Sequence, residues 1–469
     1  MSTAACSAAP AVAGVVPAQS RAQSRTRKIL QAPVLPTILW LAAPNVIVML
    51  SQALANFLES YYVGLLGVDA LAGAALVFPL VMLMMMMSAG GIGGGISSAI
   101  ARAIGSGRDD KADALALHAM VIALVFGVVC SATVLLAGGM IYHAMGGEGA
   151  ALTAARTYSG ALFSGVVFLW LMNCCAAVLR GAGNMRLPAG VLAGGVVMLL
   201  GLSPLFIFGL GPFPALGLAG AGLALASYYL ISAAILLTVL IRGSGGVRLG
   251  LGHPLRRELF AEILGVGIWS SINTVLANLC VAVATFFVAR TSMQALAGFG
   301  LGIRIEYLQI PIVFGFGTGI VAMVGMNIGA GQHARARRIA WTGAAVAGVV
   351  TESVGLAAAL FPEAWLGLFT QDASAIAAGA VYLKTVAPAY AFLGIGLALY
   401  FASQGAGRMG WALTAATVRF AVLALGCALM AALFPDNLAA LCAAMVVALI
   451  AFAMVNGLPW LRPRRDDDA

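Results

Sequence analysis

From residue 37 onward the chain repeats one pattern, a long apolar run followed by a short polar connection. The runs fall at about 37–62, 70–98, 115–142, 155–179, 188–210 and 216–241, then at about 258–286, 294–325, 337–361, 376–404, 411–433 and 437–459. At 1.5 Å of rise per residue, a helix over any of them covers the roughly 30 Å of bilayer hydrocarbon. The runs are continuous and lack period-two alternation, so they predict helices rather than barrel strands. The expected fold is an all-α polytopic membrane protein with twelve transmembrane helices.

The connections carry the orientation. One set holds Arg102, Arg108 and Lys111; Arg180 and Arg186; Arg242, Arg248, Arg256 and Arg257; Arg335, Arg337 and Arg338; and Arg408. Both termini fall on the same side, with Arg21, Arg25, Arg27 and Lys28 before the first run and Arg462, Arg464 and Arg465 after the last. Of 25 basic residues only Arg156, Arg290, Arg304, Lys384 and Arg419 lie elsewhere. An excess of Lys and Arg marks cytoplasmic loops, so both termini are expected in the cytoplasm and the protein in the plasma (inner) membrane.

Short segments recur at a nearly fixed offset. "ALAG" at 70–73 returns at 295–298, "IGSG" at 104–107 returns as "IGAG" at 328–331, and "GAG" at 181–183 returns at 405–407. The chain therefore reads as two six-helix bundles. Six spans are an even number, so both halves run the same way, and their pseudo-twofold axis lies along the membrane normal with a cavity between them. The expected divisions are a disordered cytoplasmic tail over 1–36, a first lobe over 37–241, a linker over 242–257, a second lobe over 258–460 and a cytoplasmic tail over 461–469.

Composition agrees: 62% of the 469 residues are hydrophobic and 9% charged, with a mean hydropathy of +1.03. That leaves too few charges to cover a soluble surface of this size. The net charge of +9 is accounted for by topology and calls for no nucleic-acid partner. The cluster "RAQSRTRK" follows the apolar part of the N-terminal segment, the reverse of a secretory signal, and places Arg25, Arg27 and Lys28 against lipid headgroups. The seven cysteines show neither metal-ligand spacing nor a disulfide framework and read as small packing residues. The run "SAGGIGGGISSAIARAIGSG" at 88–107 lacks the Lys-Ser/Thr of a nucleotide loop and suits close helix packing. No ATPase domain or cofactor is expected.

Six ionisable groups remain at membrane depth: Glu59, Arg304, Glu306, Glu352, Lys384 and Arg419. A charge near a span centre costs roughly 2.5–3.5 kcal/mol on insertion scales, so each should face water or a partner. Glu59 is the most informative. Gln52, Asn56 and Tyr62 stand at i−7, i−3 and i+3 from it, one polar stripe along the first span, and Pro44 is placed to bend that helix. A carboxylate in such a partly dry wall loses hydration, and a proton, Na⁺ or an organic cation would compensate it. Glu59 is thus the expected ion-coupling group and the one position where Na⁺ would bind; no other metal site is expected. Ser271, Thr274 and Asn278 form a matching neutral stripe in the seventh span. The repeat sends Glu59 to Ala284, so the halves are chemically unequal. Arg304, Glu306 and Lys384 are structural or coupling charges, with Lys384 and Arg419 both open as partners for Glu306. Glu352 has few polar neighbours.

These residues resemble the multidrug and toxic compound extrusion family. The run "LAAPNVIVMLSQALANFLESYYVGLLGVDALAG" resembles its first helix and following turn, "IARAIGSGRDDKADA" the stretch after its second helix, "LRGAGNMRLP" the turn after its fourth, and "RIEYLQIPIVFGFGTGIVAMVGMNIGAGQHARARRIA" its eighth span and loop. The resemblance covers about residues 37 to 460. It implies a secondary antiporter, not an enzyme, that exports organic cations or other amphipathic toxins in exchange for H⁺ or Na⁺ and works as a monomer among membrane lipids. It places ion coupling on Glu59, where the family commonly has aspartate, and the helix bend on Pro44. A glutamine usual before Asn327 is Met326 here, and the acid of a seventh-helix cation site is absent from "WSSINTVLANL". The alternative is a flippase or exporter of a lipid-linked or polar precursor, which would call for basic rather than acidic cavity walls.

Overall fold

The computed structural model describes residues 18–209, 214–250 and 252–461, and every regular element among them is helical. A first helix, α1 (Ala18–Gln31), precedes the bundle. The first lobe comprises α2 (Val34–Gly64), α3 (Val68–Met85), a π-helical turn over Met86–Ile92, α4 (Gly93–Gly105), α5 (Asp109–Ala144), α6 (Gly149–Phe163), α7 (Val166–Gly181), α8 (Arg186–Phe208) and α9 (Leu218–Ile241). The second comprises α10 (Arg257–Ala289), α11 (Met293–Gly329), α12 (His333–Leu360), the short α13 (Pro362–Leu366), α14 (Ala373–Val386), a 3₁₀ turn over Ala387–Ala389, α15 (Tyr390–Gly405), α16 (Met409–Leu433) and α17 (Leu438–Leu461). Eleven helical runs are long and apolar enough to cross a membrane. The pair α6 and α7, bent by 48°, makes the twelfth when counted as one span.

The N-terminal segment departs from the expected disordered tail. Residues 18–31 are helical, Ile29 is fully buried, and the Arg335 guanidinium donates to the carbonyls of Ile29 and Ala32. Arg25 donates to the Gly245 carbonyl at 2.8 Å, so part of the basic cluster binds protein rather than headgroups. Residues 1–17 and 462–469 lie outside the described residues, as does Cys6.

The recurring glycines have a physical reason. Gly107, Gly183, Gly331 and Gly407 adopt φ of 69°, 71°, 74° and 72°, left-handed backbone that a side chain would strain. Each ends a helix in the same way: the Gly107 amide bonds Ile104 O and the next amide bonds Ala103 O, and the same pair of bonds recurs at Gly183, Gly331 and Gly407. These are Schellman caps, which satisfy carbonyls that would otherwise be stranded where the chain must turn sharply at the membrane surface.

Contacts repeat along with sequence. A Cβ on Gly73 would strike Ala154 and Ala155 of α6, and one on Gly298 would strike Gly379 and Ala375 of α14. Across the lobe interface the pattern is reciprocal: a Cβ on Gly105 would meet the Met326 carbonyl oxygen at 2.0 Å, and one on Gly329 the Arg102 carbonyl oxygen at 2.2 Å. Residues 105 and 329 are 224 apart, as are 102 and 326. Such mutual exchange is the mark of a twofold interface, and it puts the pseudo-axis between α4 and α11.

Pro388 cannot donate a backbone bond, and the span that holds Lys384 breaks there into α14 and α15. The start of α15 is stitched by α12: the Ala391 amide donates to Glu352 Oε2 at 2.8 Å and the Thr351 hydroxyl to the Tyr390 carbonyl at 2.8 Å. Glu352 is therefore a helix-start acceptor, with a polar partner that its sequence neighbourhood does not reveal. Glu352→Ala should destabilise the fold by about 1–3 kcal/mol, the cost of a donor left unpaired. A lowered melting temperature of the detergent-purified protein, with transport per folded molecule retained, is the expected reading.

Candidate functional site

The stripe on α2 lies in the half of the helix away from the basic connections. Glu59 is half-buried, and its Oε1 accepts a hydrogen bond from the Tyr158 hydroxyl of α6 at 3.4 Å. Tyr229 of α9 also faces the carboxylate, and no basic group among the described residues does. Gln52 is half-buried beside the Tyr228 hydroxyl; Asn56 is exposed; Tyr62 is half-buried with its ring edge-on to Phe208, centroids 6.4 Å apart. The helix runs unbroken through Pro44, and the adjacent Asn45 amide donates to Thr318 of α11 at 2.8 Å.

The neutral stripe on α10 is arranged differently. Ser271 and Thr274 donate to their own helix at Gly267 O (2.9 Å) and Ser270 O (3.2 Å), and exposed Asn278 does so at Thr274 O (2.9 Å). Ser271 also packs on the π-helical turn, where a Cβ on Gly91 would strike its hydroxyl. It stands at the contact between the lobes. A widened turn of this kind often sits at a functional site; here it brings Gly90 and Gly91 against the second lobe.

The partner of Glu306 is resolved: Arg419 of α16, at 3.5 Å, with both side chains largely buried (12% and 13% exposed). Lys384 is instead exposed on α14, and exposed Arg304 stands over the Phe369 ring at 5.0 Å. The structure thus separates the three charges.

A polar seam joins the lobes at the basic end. Arg102 and Lys111 of the first lobe both bind Glu262 of α10, at 3.2 and 2.7 Å. Ser98 donates to the Gln404 and Gly405 carbonyls and accepts from Arg102, while the Gln404 amide donates to Ser270 Oγ at 2.8 Å and to Gly90 O at 3.1 Å. Buried His118 receives the Arg256 amide on Nε2 at 2.9 Å and places Nδ1 2.7 Å from Ala114 O. That pairing fixes the proton on Nδ1. A cavity of ≈ 460 Å³ beside the seam is lined by Arg108, Lys111, His253, Arg256 and three acids. Among the described residues, no inter-lobe hydrogen bond or ion pair joins the far halves of the helices. By these bonds among the described residues, the lobes are fastened at the basic end.

Reading by hydropathy assigns Arg102 and Lys111 to loops, passes over Glu262 and misses Tyr158. The repeat offered a signal for the last, since Tyr158 and Tyr382 stand 224 residues apart. Nothing in the sequence marks Gln404, the last residue of the tenth apolar run.

Known proteins resemble the chain over most of its length. The MatE family model matches residues 44–205 and again 270–430. A FAD transporter of Shewanella oneidensis is 24% identical over 368 residues, 78% of this chain and 81% of that one. A probable multidrug resistance protein NorM of Thermotoga maritima is 28% identical over 315 residues, 67% and 68%. Among solved structures, an outward-facing multidrug resistance MATE-family transporter superposes with a TM-score of 0.83 at 25% identity, covering 92% of this chain and 96% of that one. A MOP-superfamily transporter from Pyrococcus furiosus, described as having a binding pocket of reverse polarity that suggests a different function, gives the same values. With both lobes matched by one family model at the spacing of the internal repeat, the chain belongs to the MatE family of membrane transporters.

Proposed function

We propose that the protein exports organic cations or other amphipathic toxins in exchange for H⁺ or Na⁺, with Glu59 as the group that senses the coupling ion. The observation that carries this reading is a half-buried carboxylate with a tyrosine donor and no basic partner among the described residues. Gln52, Asn56 and Tyr62 continue its wall, and the neutral stripe of Thr274 and Asn278 belongs to the opposite lobe. Occupancy of such a group by a cation changes what the wall tolerates beside it, which is what exchange requires. With the basic connections in the cytoplasm, fastened ends there and unfastened ends opposite correspond to an outward-open state. Rocking about the α4–α11 contact would reverse it, with no second copy of the chain required.

Two other cargoes compete. A dinucleotide, as carried by the Shewanella relative, or a lipid-linked precursor would bring phosphates into the cavity. The α2 wall offers them an acid and neutral polar groups, which argues for a cation or a neutral amphiphile. The deciding experiment is flux in sealed proteoliposomes, with a pH gradient and a sodium gradient imposed separately while a fluorescent organic cation and FAD are followed. Cation efflux driven by the pH gradient is the expected result. Efflux driven by sodium and insensitive to pH would replace H⁺ with Na⁺, and FAD export without cation export would overturn the substrate class.

A further inference from the structure

The internal repeat brings a second carboxylate near the place that Glu59 holds in the first lobe, with two alterations. A cavity of ≈ 40 Å³ in the second lobe is lined by Ala284, Glu306, Tyr382 and Arg419 among others. Ala284 is the repeat position of Glu59, 225 residues on, and Tyr382 that of Tyr158, 224 residues on. Phe452, over which Arg419 stands at 5.3 Å, is the repeat position of Tyr228. Arg419 itself falls on Gly195, where the first lobe has no side chain and the Tyr228 ring fills the space, 2.4 Å from where a Cβ would stand. The second lobe thus moves its acid from α10 to α11 and adds an arginine where the first lobe has a glycine.

We propose that Arg419 is a built-in cation that permanently fills the second lobe's counterpart of the Glu59 site, so that this lobe takes up no exchangeable ion. The space left beside the pair, ≈ 40 Å³, suits a few water molecules and is too small for an organic cargo. Glu306 is faced by Arg419 from α16, by the hydroxyls of Tyr382 and Tyr390 from α14 and α15, and by Cys280 from α10, with Tyr307 next to it in sequence. Among these only Arg419 is a cation. Cation–π contact with Phe452 and the 3.5 Å ion pair hold its guanidinium in place. The consequence is one coupling carboxylate per molecule rather than two, which sets the ion-to-cargo ratio. This rests on the proposed role of Glu59, but its test does not.

A hydrophobic carbodiimide modifies carboxyl groups that carry a proton within the membrane, and peptide mass spectrometry locates the adduct. In the wild-type protein Glu306 should remain unmodified. In Arg419→Met it should become modified at least tenfold more, and sodium should protect it if the freed site takes Na⁺; Arg419→Lys should restore silence. Equal modification of Glu306 with and without Arg419, in folded protein, would overturn the proposal. Should Arg419→Met fail to fold, the double variant E306Q/R419M removes both charges together, a change that buried pairs often tolerate. The expectation is transport with the wild-type ion-to-cargo ratio, and loss of ion-driven transport in that folded double variant would also overturn it. Failure of the Glu59 reading would appear separately, as full ion-driven transport in Glu59→Gln.

Discussion

Glu59→Gln should insert and fold normally yet lose ion-driven export of an organic cation by at least about tenfold, equivalent to about 1.4 kcal/mol of coupling free energy. Glutamine keeps the size of the side chain and can still meet the Tyr158 hydroxyl, but it can neither release a proton nor hold a cation as a carboxylate does. Passive exchange of cargo down its own gradient should survive, because the wall of Gln52, Asn56 and Tyr62 is intact. Glu59→Asp tests reach rather than charge: the shorter arm should weaken the 3.4 Å contact with Tyr158 while preserving coupling. The measurement is initial efflux in proteoliposomes with and without an imposed gradient, normalised to inserted protein. If Glu59→Gln keeps the gradient response, the coupling group lies elsewhere.

Much of the scaffold was legible because membrane helices announce themselves by composition. The twelve apolar runs match the twelve spans to within a few residues at most ends, since backbone groups in hydrocarbon leave the chain no alternative to helix. The "GAG" and "IGSG" repeats were legible for a different reason: a left-handed helix end demands glycine, so two copies of one cap leave the same mark at Gly183 and Gly407. Side-chain pairing was not legible. Glu306 had two cationic candidates, and only the packing of α16 against α10 and α17 puts Arg419 rather than Lys384 within reach. Glu352 looked isolated because its partner is a backbone amide exposed by a break 39 residues away. The helical segment before the bundle was missed because its low hydropathy resembles a tail, whereas a few contacts such as buried Ile29 and Arg25 to Gly245 dock it.

The reciprocal glycines supply the other large effect. Gly105→Val should pry the lobes apart at the basic end, because the added carbon falls 2.0 Å from a backbone oxygen of α11, and backbone cannot swing aside as a side chain could. Overpacking of this kind costs about 1–3 kcal/mol, which would disfavour the fastened state by about 5–150-fold. Gly329→Val should act alike from the other lobe, against the Arg102 carbonyl. Gly107→Ala is the control: its φ of 69° makes any side chain strained, but nothing lies within 4 Å, so it should cost local stability without moving the lobes. Glu262→Gln should be milder than either valine, since it removes two ion pairs at a partly exposed position and leaves the Ser98 and Gln404 bonds in place. Spin labels at Arg108→Cys and Ala334→Cys, in a background lacking Cys6 and Cys130, report the opening directly. A longer distance in Gly105→Val and Gly329→Val, unchanged in Gly107→Ala, is the expected pattern. Identical distances in all three would mean that the α4–α11 contact is a passive filler, and that the hinge of alternating access must be sought at the bent α6–α7 span or the π-helical turn.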